Sequence, residues 1–154
     1  MGISILNGEI VYGNIDLSLP SPKEFYERYE GDPEEAKSSA LKLGRELGNV
    51  LIGRLKDPGD DLETVAAILN EFQRTVQGEP TAKVEGNKVV MRCSGFCPVT
   101  RAAMTLNLPL RWLDDNLAWP LVRGVASTII PGIKLMVPSA KSRGDPTCVY
   151  IFEI

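Results

Sequence analysis

Histidine is absent from this 154-residue sequence. For sites built by this chain alone, its absence excludes Ser–His–Asp and Cys–His nucleophile pairs, haem with a histidine ligand and mixed Cys/His zinc sites. Any general base must therefore be an Asp, Glu or Lys side chain, a Tyr hydroxyl or a thiolate.

The sequence also lacks an excess of positive charge and any long apolar run. It has 17 Lys and Arg against 20 Asp and Glu, a net charge of −3. Because no basic excess exists to neutralise phosphates, we predict no nucleic-acid partner. No apolar run approaches the roughly 20 residues that span a bilayer, and the N-terminus has no basic-then-apolar signal pattern. The sequence therefore predicts no membrane partner and a cytoplasmic location.

Cysteine occurs only three times, at Cys93, Cys97 and Cys148. An odd number fits a disulfide framework poorly and suits a reducing compartment. Cys97 precedes Pro98, and proline is well tolerated at the first position of a helix. We therefore predict that Cys97 caps a helix, where the positive end of the helix dipole, together with Arg101, favours the thiolate form.

Turn sequences predict β-hairpins along the chain. Asn7-Gly8 lies between alternating apolar residues, a strong local hairpin signal. Gly86-Asn87 separates two further short β-rich runs. The predicted hairpins are an N-terminal arm over residues 1–22, a pair of strands over residues 82–91, and an antiparallel pair formed by residues 133–137 and 148–154.

Capping residues and apolar spacing predict helices between these hairpins. Asp32-Pro33 is a clear helix start, and Asp61 caps the following helix. Further helices are predicted over residues 22–29, 98–106 and 117–130. This order of elements predicts an α+β fold, with an antiparallel sheet of about four strands packed against helices in one domain over residues 23–154.

Two glycines interrupt the helix that begins at Asp32. Gly44 and Gly48 lie one turn apart, and each costs roughly 1 kcal/mol relative to alanine in a helix. We interpret the pair as the close approach of another backbone, in preference to a ligand contact.

Two segments carry a family resemblance. Gly44-Arg45-Glu46-Leu47-Gly48 resembles the Gly-Arg-Glu-x-Gly segment of the 4-vinyl reductase domain. Residues 144–148, Gly-Asp-Pro-Thr-Cys before a strand, resemble the closing Gly-Asp-Pro-x-Cys motif of that domain. With the matching element order, the similarity covers residues 24–154. It implies a fold shared with a vesicle-tethering subunit and with ligand-binding domains of aromatic-responsive regulators, a homodimer, and a small, often apolar ligand between sheet and helices.

The sequence departs from the family at the metal ligands. The regulators of this family look as though they hold zinc with an acid and cysteines, one of which lies upstream of the closing motif. Here that region offers Ser139 and Ala140, so only Cys148 carries over. Cys97-Pro98 instead resembles the Cys-Pro helix start of proteins grouped with the 2-aminothiazoline-4-carboxylate hydrolases.

The three cysteines are the candidate metal ligands. If the last strand pairs beside the strand that ends at Cys93, Cys148 would reach both other cysteines. Three thiolates form a soft site suited to zinc or an iron–sulfur cluster. The alternative is three separate core cysteines, because cysteine is among the most buried residue types.

Large aromatic side chains and one arginine are the candidate ligand-binding residues. Phe96, Trp112 and Trp119 would line a cavity or, as most aromatic residues do, simply fill the core. Arg123 lies in an otherwise apolar helix and either reaches the surface or anchors a carboxylate ligand. Asp114-Asp115 is interpreted as a cap for the helix that carries Trp119, with a general-base role as the alternative.

These features favour a cytoplasmic, homodimeric small-molecule-binding domain of the 4-vinyl reductase type, with a metal or reactive-thiol site at Cys93, Cys97 and Cys148. The main alternative is a hydrolase of a small cyclic or amide-like substrate that acts through a catalytic Cys97 thiolate or a metal-bound water. A third hypothesis is a non-catalytic assembly subunit.

Overall fold

Two separate antiparallel sheets form in the part of the chain that the computed structural model describes, residues 3–6, 9–12, 21–76, 78–93 and 98–154. The first sheet is the hairpin of β1 (Ile3–Leu6) and β2 (Glu9–Tyr12), at the predicted place. Its Asn7-Gly8 turn lies outside the described residues. The second sheet has the strand order β3-β4-β6-β5, formed by β3 (Lys83–Glu85), β4 (Lys88–Cys93), β5 (Lys134–Ser139) and β6 (Cys148–Glu153).

Helices pack against this four-stranded sheet, which confirms the predicted α+β class. They are α1 (Pro22–Tyr29), α2 (Pro33–Ile52), α3 (Leu62–Thr75), α4 (Pro98–Leu106), α5 (Leu110–Leu113), a π-helical segment (Asp114–Ala118), α6 (Trp119–Ser127) and a 3₁₀ turn (Lys141–Arg143). No helix among the described residues has both the length and the apolar character needed to cross a membrane.

The predicted helix caps are confirmed by side-chain hydrogen bonds. The backbone N–H of Glu35 donates to Asp32 Oδ1 at 3.2 Å, and that of Thr64 donates to Asp61 Oδ1 at 3.0 Å. Each bond satisfies one of the N–H groups that a helix start leaves without an intrahelical partner. The hydrogen bonds from the Thr64 backbone N–H and the Thr64 hydroxyl hold the pKa of Asp61 below its ordinary value.

One face of the sheet is buried beneath the helices. On β6, Cys148, Tyr150 and Phe152 are buried while the residues between them are half-buried. On the same face of the sheet they pair with the β4 residues Cys93, Met91 and Val89. Burial of a large side chain such as Phe152 contributes about 1.5–3 kcal/mol to stability. The alternation therefore fixes which side of each strand faces the core.

Helices α2 and α6 cross at glycines. A Cβ atom on Gly44 would lie 1.9 Å from the carbonyl oxygen of Leu121 in α6. On Gly48 it would lie 2.5 Å from a Thr128 side-chain carbon and 3.1 Å from the Val125 backbone carbonyl oxygen. The interpretation of Gly44 and Gly48 as a close backbone approach is therefore confirmed.

Candidate functional site

Cys93 and Cys148 lie directly opposite each other in the sheet. Cys93 is the last residue of β4, Cys148 is the first residue of β6, and the two are register partners across the antiparallel pair. Opposite residues in such a pair have Cα atoms about 4.5–5.5 Å apart. The prediction that the last strand pairs beside the strand ending at Cys93 is thus confirmed, and two of the three candidate metal ligands come together.

Both sulfur atoms accept hydrogen bonds from N–H groups. The Gln73 side-chain amide donates to Cys93 Sγ at 3.7 Å, and the Lys141 backbone N–H donates to Cys148 Sγ at 3.4 Å. Hydrogen bonds to a charged form favour that form. Each sulfur thus has one N–H donor within reach, a contact that would also be made to a thiolate, the nucleophilic and metal-binding form.

Gln73 also holds the strand end that carries Cys93. Its amide oxygen accepts the Thr81 backbone N–H at 2.8 Å, and its amide nitrogen donates to the Thr81 hydroxyl at 3.0 Å and to the Arg92 carbonyl at 3.3 Å. The side chain is only 3% exposed. Gln73 is not among the site residues predicted from the sequence, although it continues the i, i+4 row of Val65 and Leu69 on the buried side of α3.

The loop before Cys148 is held by the residues of the Gly-Asp-Pro-x-Cys motif. The Asp145 carboxylate accepts the backbone N–H of Ala140 at 3.0 Å, and Gly144 adopts a φ of +91°, a backbone conformation that favours glycine. The Ser139 hydroxyl donates to the Thr147 carbonyl at 2.8 Å. The motif thus folds the loop back on itself and brings the Lys141 N–H to the Cys148 sulfur.

The third cysteine of the predicted cluster, Cys97, and the predicted ligand-binding residue Phe96 both lie outside the described residues. Helix α4 begins at Pro98, as predicted from the Cys-Pro pair. Within the described part of the chain, no group of three or more Cys, Asp or Glu side chains is placed to hold a metal ion. A tetrahedral zinc site has four ligands, so Cys93 and Cys148 alone would not complete one.

Trp119 and Arg123 line one open groove of about 470 Å³. Arg123 is exposed, and none of the salt bridges among the described residues involves it. The groove lies between the first half of α2 and the start of α6, and its other lining residues include Glu34, Lys37, Leu41, Asp115, Pro120 and Leu135.

Trp112 belongs to a different cluster. Its ring meets Tyr26 edge to face at 5.0 Å between centroids and Phe25 at 6.2 Å. It lines neither the groove of Trp119 nor a second described groove of about 300 Å³ between α1 and α2. In the described part of the chain, Trp112 therefore packs α5 against α1.

Asp114 is a buried carboxyl group that was interpreted from the sequence as a cap of the helix carrying Trp119, with a general-base role as the alternative. The cap interpretation is wrong, because the N-cap of α6 is Ala118 and Asp114 is the first residue of the π-helical segment that continues from α5. The side chain is 5% exposed. Burial raises its pKa above the ordinary value, while the Ser142 hydroxyl opposes the shift by hydrogen bonding and Arg143 opposes it by charge. The negative charge of Asp115 adds to the increase.

Arg143 connects this carboxyl group to Trp119. Its guanidinium group lies over the Trp119 ring, 5.5 Å from the centroid, and donates to the Val137 carbonyl. The guanidinium group and the indole ring thus form a cation–π interaction, which contributes about 0.5–1 kcal/mol at an exposed site. π-helical turns are frequent at functional sites, and here one carries Asp114 and Asp115 beside the groove of Trp119.

This chain matches no known protein family, no curated protein and no solved structure. The resemblance to the 4-vinyl reductase domain stays a prediction from the two sequence motifs and the order of helices and strands.

Proposed function

We propose that this chain is a small-molecule-binding domain of the 4-vinyl reductase type that acts as a homodimer in the cytoplasm. Its metal or reactive-thiol site is formed by Cys93, Cys148 and Cys97. The observation that carries the proposal is the register of Cys93 with Cys148, since it brings together two sulfur atoms separated by more than fifty residues of sequence.

Chain length supports the addition of Cys97 to this pair. Four peptide units separate Cys93 from Cys97, so their Cα atoms lie at most about 14 Å apart. Cys97 also directly precedes the first residue of α4. A thiolate there benefits from the positive end of the helix dipole. Three thiolates with one open position suit zinc, and with a fourth ligand from a small molecule or a partner chain they suit an iron–sulfur cluster.

Metal analysis tests this site. Protein purified without chelator should contain about one zinc ion, or the iron of one cluster, per chain. Cys93→Ser and Cys148→Ser should each weaken Zn²⁺ binding at least tenfold in a competition titration. Ser94→Ala is the matched control, because it lies between the cysteines in sequence and carries no soft ligand. Purified protein with no metal, no bound small molecule and thiols that do not react at neutral pH would exclude the proposal.

The groove of Trp119 and Arg123 supports the small-molecule part of the proposal. An indole face and a guanidinium group outside the described salt bridges suit a small apolar carboxylate, since the ring covers the apolar body and Arg pairs with the carboxylate. Asp115 in the same groove disfavours a second negative charge on the ligand.

Benzoate is a suitable probe of this groove. In a Trp112→Phe variant the remaining tryptophan is Trp119, so its fluorescence reports on the groove alone. Benzoate should change that fluorescence with saturation, and Arg123→Gln should weaken the effect at least fivefold. Lys42→Gln, in the second groove, is the control. An unchanged signal in all variants would place the ligand elsewhere.

A further inference from the structure

We infer that Cys93 and Cys148 form an oxidative modification site, at which a low-molecular-weight disulfide such as glutathione disulfide joins the two side chains in a cross-strand disulfide. This inference goes beyond metal or ligand binding and applies to the metal-free chain, because a thiolate that holds a metal is not available to attack a disulfide.

The geometry of the sheet carries the inference. Opposite residues of an antiparallel pair have Cα atoms about 4.5–5.5 Å apart, inside the range of about 4.4–6.8 Å seen for disulfides. Cys93 and Cys148 lie on the same face of the sheet, the face on which Met91 pairs with Tyr150. Their side chains therefore project from the same side of the sheet, so a disulfide requires no change in strand register.

The two cysteines differ in solvent exposure, and this difference determines which of them reacts first with a dissolved oxidant. Cys93 is half-buried, whereas Cys148 is 8% exposed. A dissolved oxidant therefore reaches Cys93 first, and Cys148 is placed to react with the intermediate. Each sulfur lies within reach of one N–H donor, from Gln73 and from Lys141, which could also bond to the thiolate that attacks disulfides.

The reaction consists of two thiol–disulfide exchanges. The Cys93 thiolate attacks one sulfur of glutathione disulfide, whose S–S bond breaks and releases one glutathione thiolate. The Cys148 thiolate then attacks the Cys93 sulfur of the mixed disulfide and expels the second glutathione. The released thiolates take up the two protons that the cysteines lost. Two protein thiols and one glutathione disulfide thus give one protein disulfide and two glutathione thiols.

The position of the bond gives it a structural consequence. β4 and β6 are the central pair of the sheet, and the bond would join the end of one to the start of the other. It would also fix the point from which the chain continues towards α4. In a reducing compartment such a bond is transient, so the site would follow the redox state of its surroundings.

Peptide mapping after oxidation is the test. The wild-type protein is incubated with glutathione disulfide at neutral pH, alkylated and digested with chymotrypsin. Because chymotrypsin cleaves after Phe96, it separates Cys93 from Cys97. The expected result is a peptide pair linked through Cys93 and Cys148, with Cys97 alkylated and the intact chain lighter by two hydrogen atoms. The oxidised protein should melt about 5–10 °C higher, since the bond closes a long loop.

Variants separate the two exchange steps. Cys148→Ser should stop at a glutathione adduct on Cys93, and Cys93→Ser should react at least tenfold more slowly than the wild type. Cys97→Ser is the matched control and should still form the bond. A wild-type map that links Cys97 to either other cysteine, or three alkylated thiols after prolonged oxidation, would overturn the inference. All of these oxidations are carried out on protein freed of metal with EDTA, so neither result depends on the outcome of the metal analysis above.

Discussion

Gly44 of α2 and Gly124 of α6 meet backbone to backbone: a Cβ atom on Gly124 would lie 2.9 Å from the Gly44 Cα and 2.3 Å from the Leu41 carbonyl oxygen. Contacts this short with backbone atoms cannot be relieved by a side-chain rotation. The two glycines therefore set the distance between α2 and α6, and with it the groove that contains Trp119 and Arg123.

Gly44→Ala and Gly124→Ala should each destabilise the fold by about 2 kcal/mol. Overpacking costs about 1–3 kcal/mol or more. The higher helix propensity of alanine relative to glycine offsets only about 1 kcal/mol of that cost. Urea unfolding followed by circular dichroism measures the loss. Gly31→Ala is the control, because a Cβ atom there meets nothing within 4 Å, and its effect should stay within about 0.5 kcal/mol. Equal losses at Gly31 and Gly44 would show that the helix crossing is not the cause.

Gln73→Met should lower the free energy of unfolding by about 2–3 kcal/mol. Methionine keeps the approximate volume of the buried side chain but leaves the half-buried Thr81 N–H without its acceptor, and an unsatisfied buried group costs about 1–3 kcal/mol. The same change removes the N–H that donates to the Cys93 sulfur, so Cys93 should react more slowly with a thiol reagent, because its thiolate would lose a hydrogen bond. Both effects are measured on the same protein, by urea unfolding and by alkylation rate.

Arg74→Met on the same helix is the matched control for Gln73. The Arg74 side chain is 54% exposed, and its described contact is a surface ion pair with Glu71. Such pairs contribute about 0–1 kcal/mol. A loss at Arg74 as large as that at Gln73 would mean that the buried amide network is not what stabilises this end of the sheet.

The starts of the helices were predictable because capping residues and prolines act on backbone groups only three or four residues away. Asp32 and Asp61 accept N–H groups of the first helical turn, and Pro22 and Pro98 each occupy a first helical position. A local hydrogen bond or a fixed φ angle needs no knowledge of the rest of the chain. The short antiparallel strands were likewise predicted from local turn sequences such as Gly86-Asn87.

The site depends on contacts that no local signal encodes. The register of Cys93 with Cys148 is set by strand pairing across more than fifty residues. From the sequence, this contact could be predicted only on the condition that the last strand pairs with the strand ending at Cys93. The burial of Asp114 follows from the π-helical turn and from the loop that carries Arg143. Trp112 and Trp119 looked alike in sequence, yet one packs on α1 and the other lines a groove. Only tertiary packing distinguishes the tryptophan that fills a contact between helices from the one that lines a groove.

Asp114→Asn should make the protein more stable relative to wild type as the pH rises. The pKa of Asp114 is raised by burial above its ordinary value of 3.8. Between that value and the higher folded value the native state binds more protons than the unfolded state, so the wild type loses stability with rising pH. Asparagine does not titrate, and the difference between variant and wild type should therefore grow from about pH 3 to pH 7. Asp60→Asn, at an exposed position, is the control; a constant difference at position 114 would contradict the burial of the ionised carboxyl.

Asp61→Asn should show the opposite pH dependence. The hydrogen bonds from Thr64 lower the pKa of Asp61, so this carboxylate stabilises the fold above its ordinary pKa, and the contribution is lost as the pH falls through the folded value. Asparagine also caps helices well but carries no charge, so the wild type should lose stability relative to Asp61→Asn on acidification. Urea unfolding of both variants over the same pH series makes the comparison direct, because the two aspartates should give slopes of opposite sign. Slopes of the same sign would mean that either the cap at α3 or the burial at the π-helical turn is assigned incorrectly.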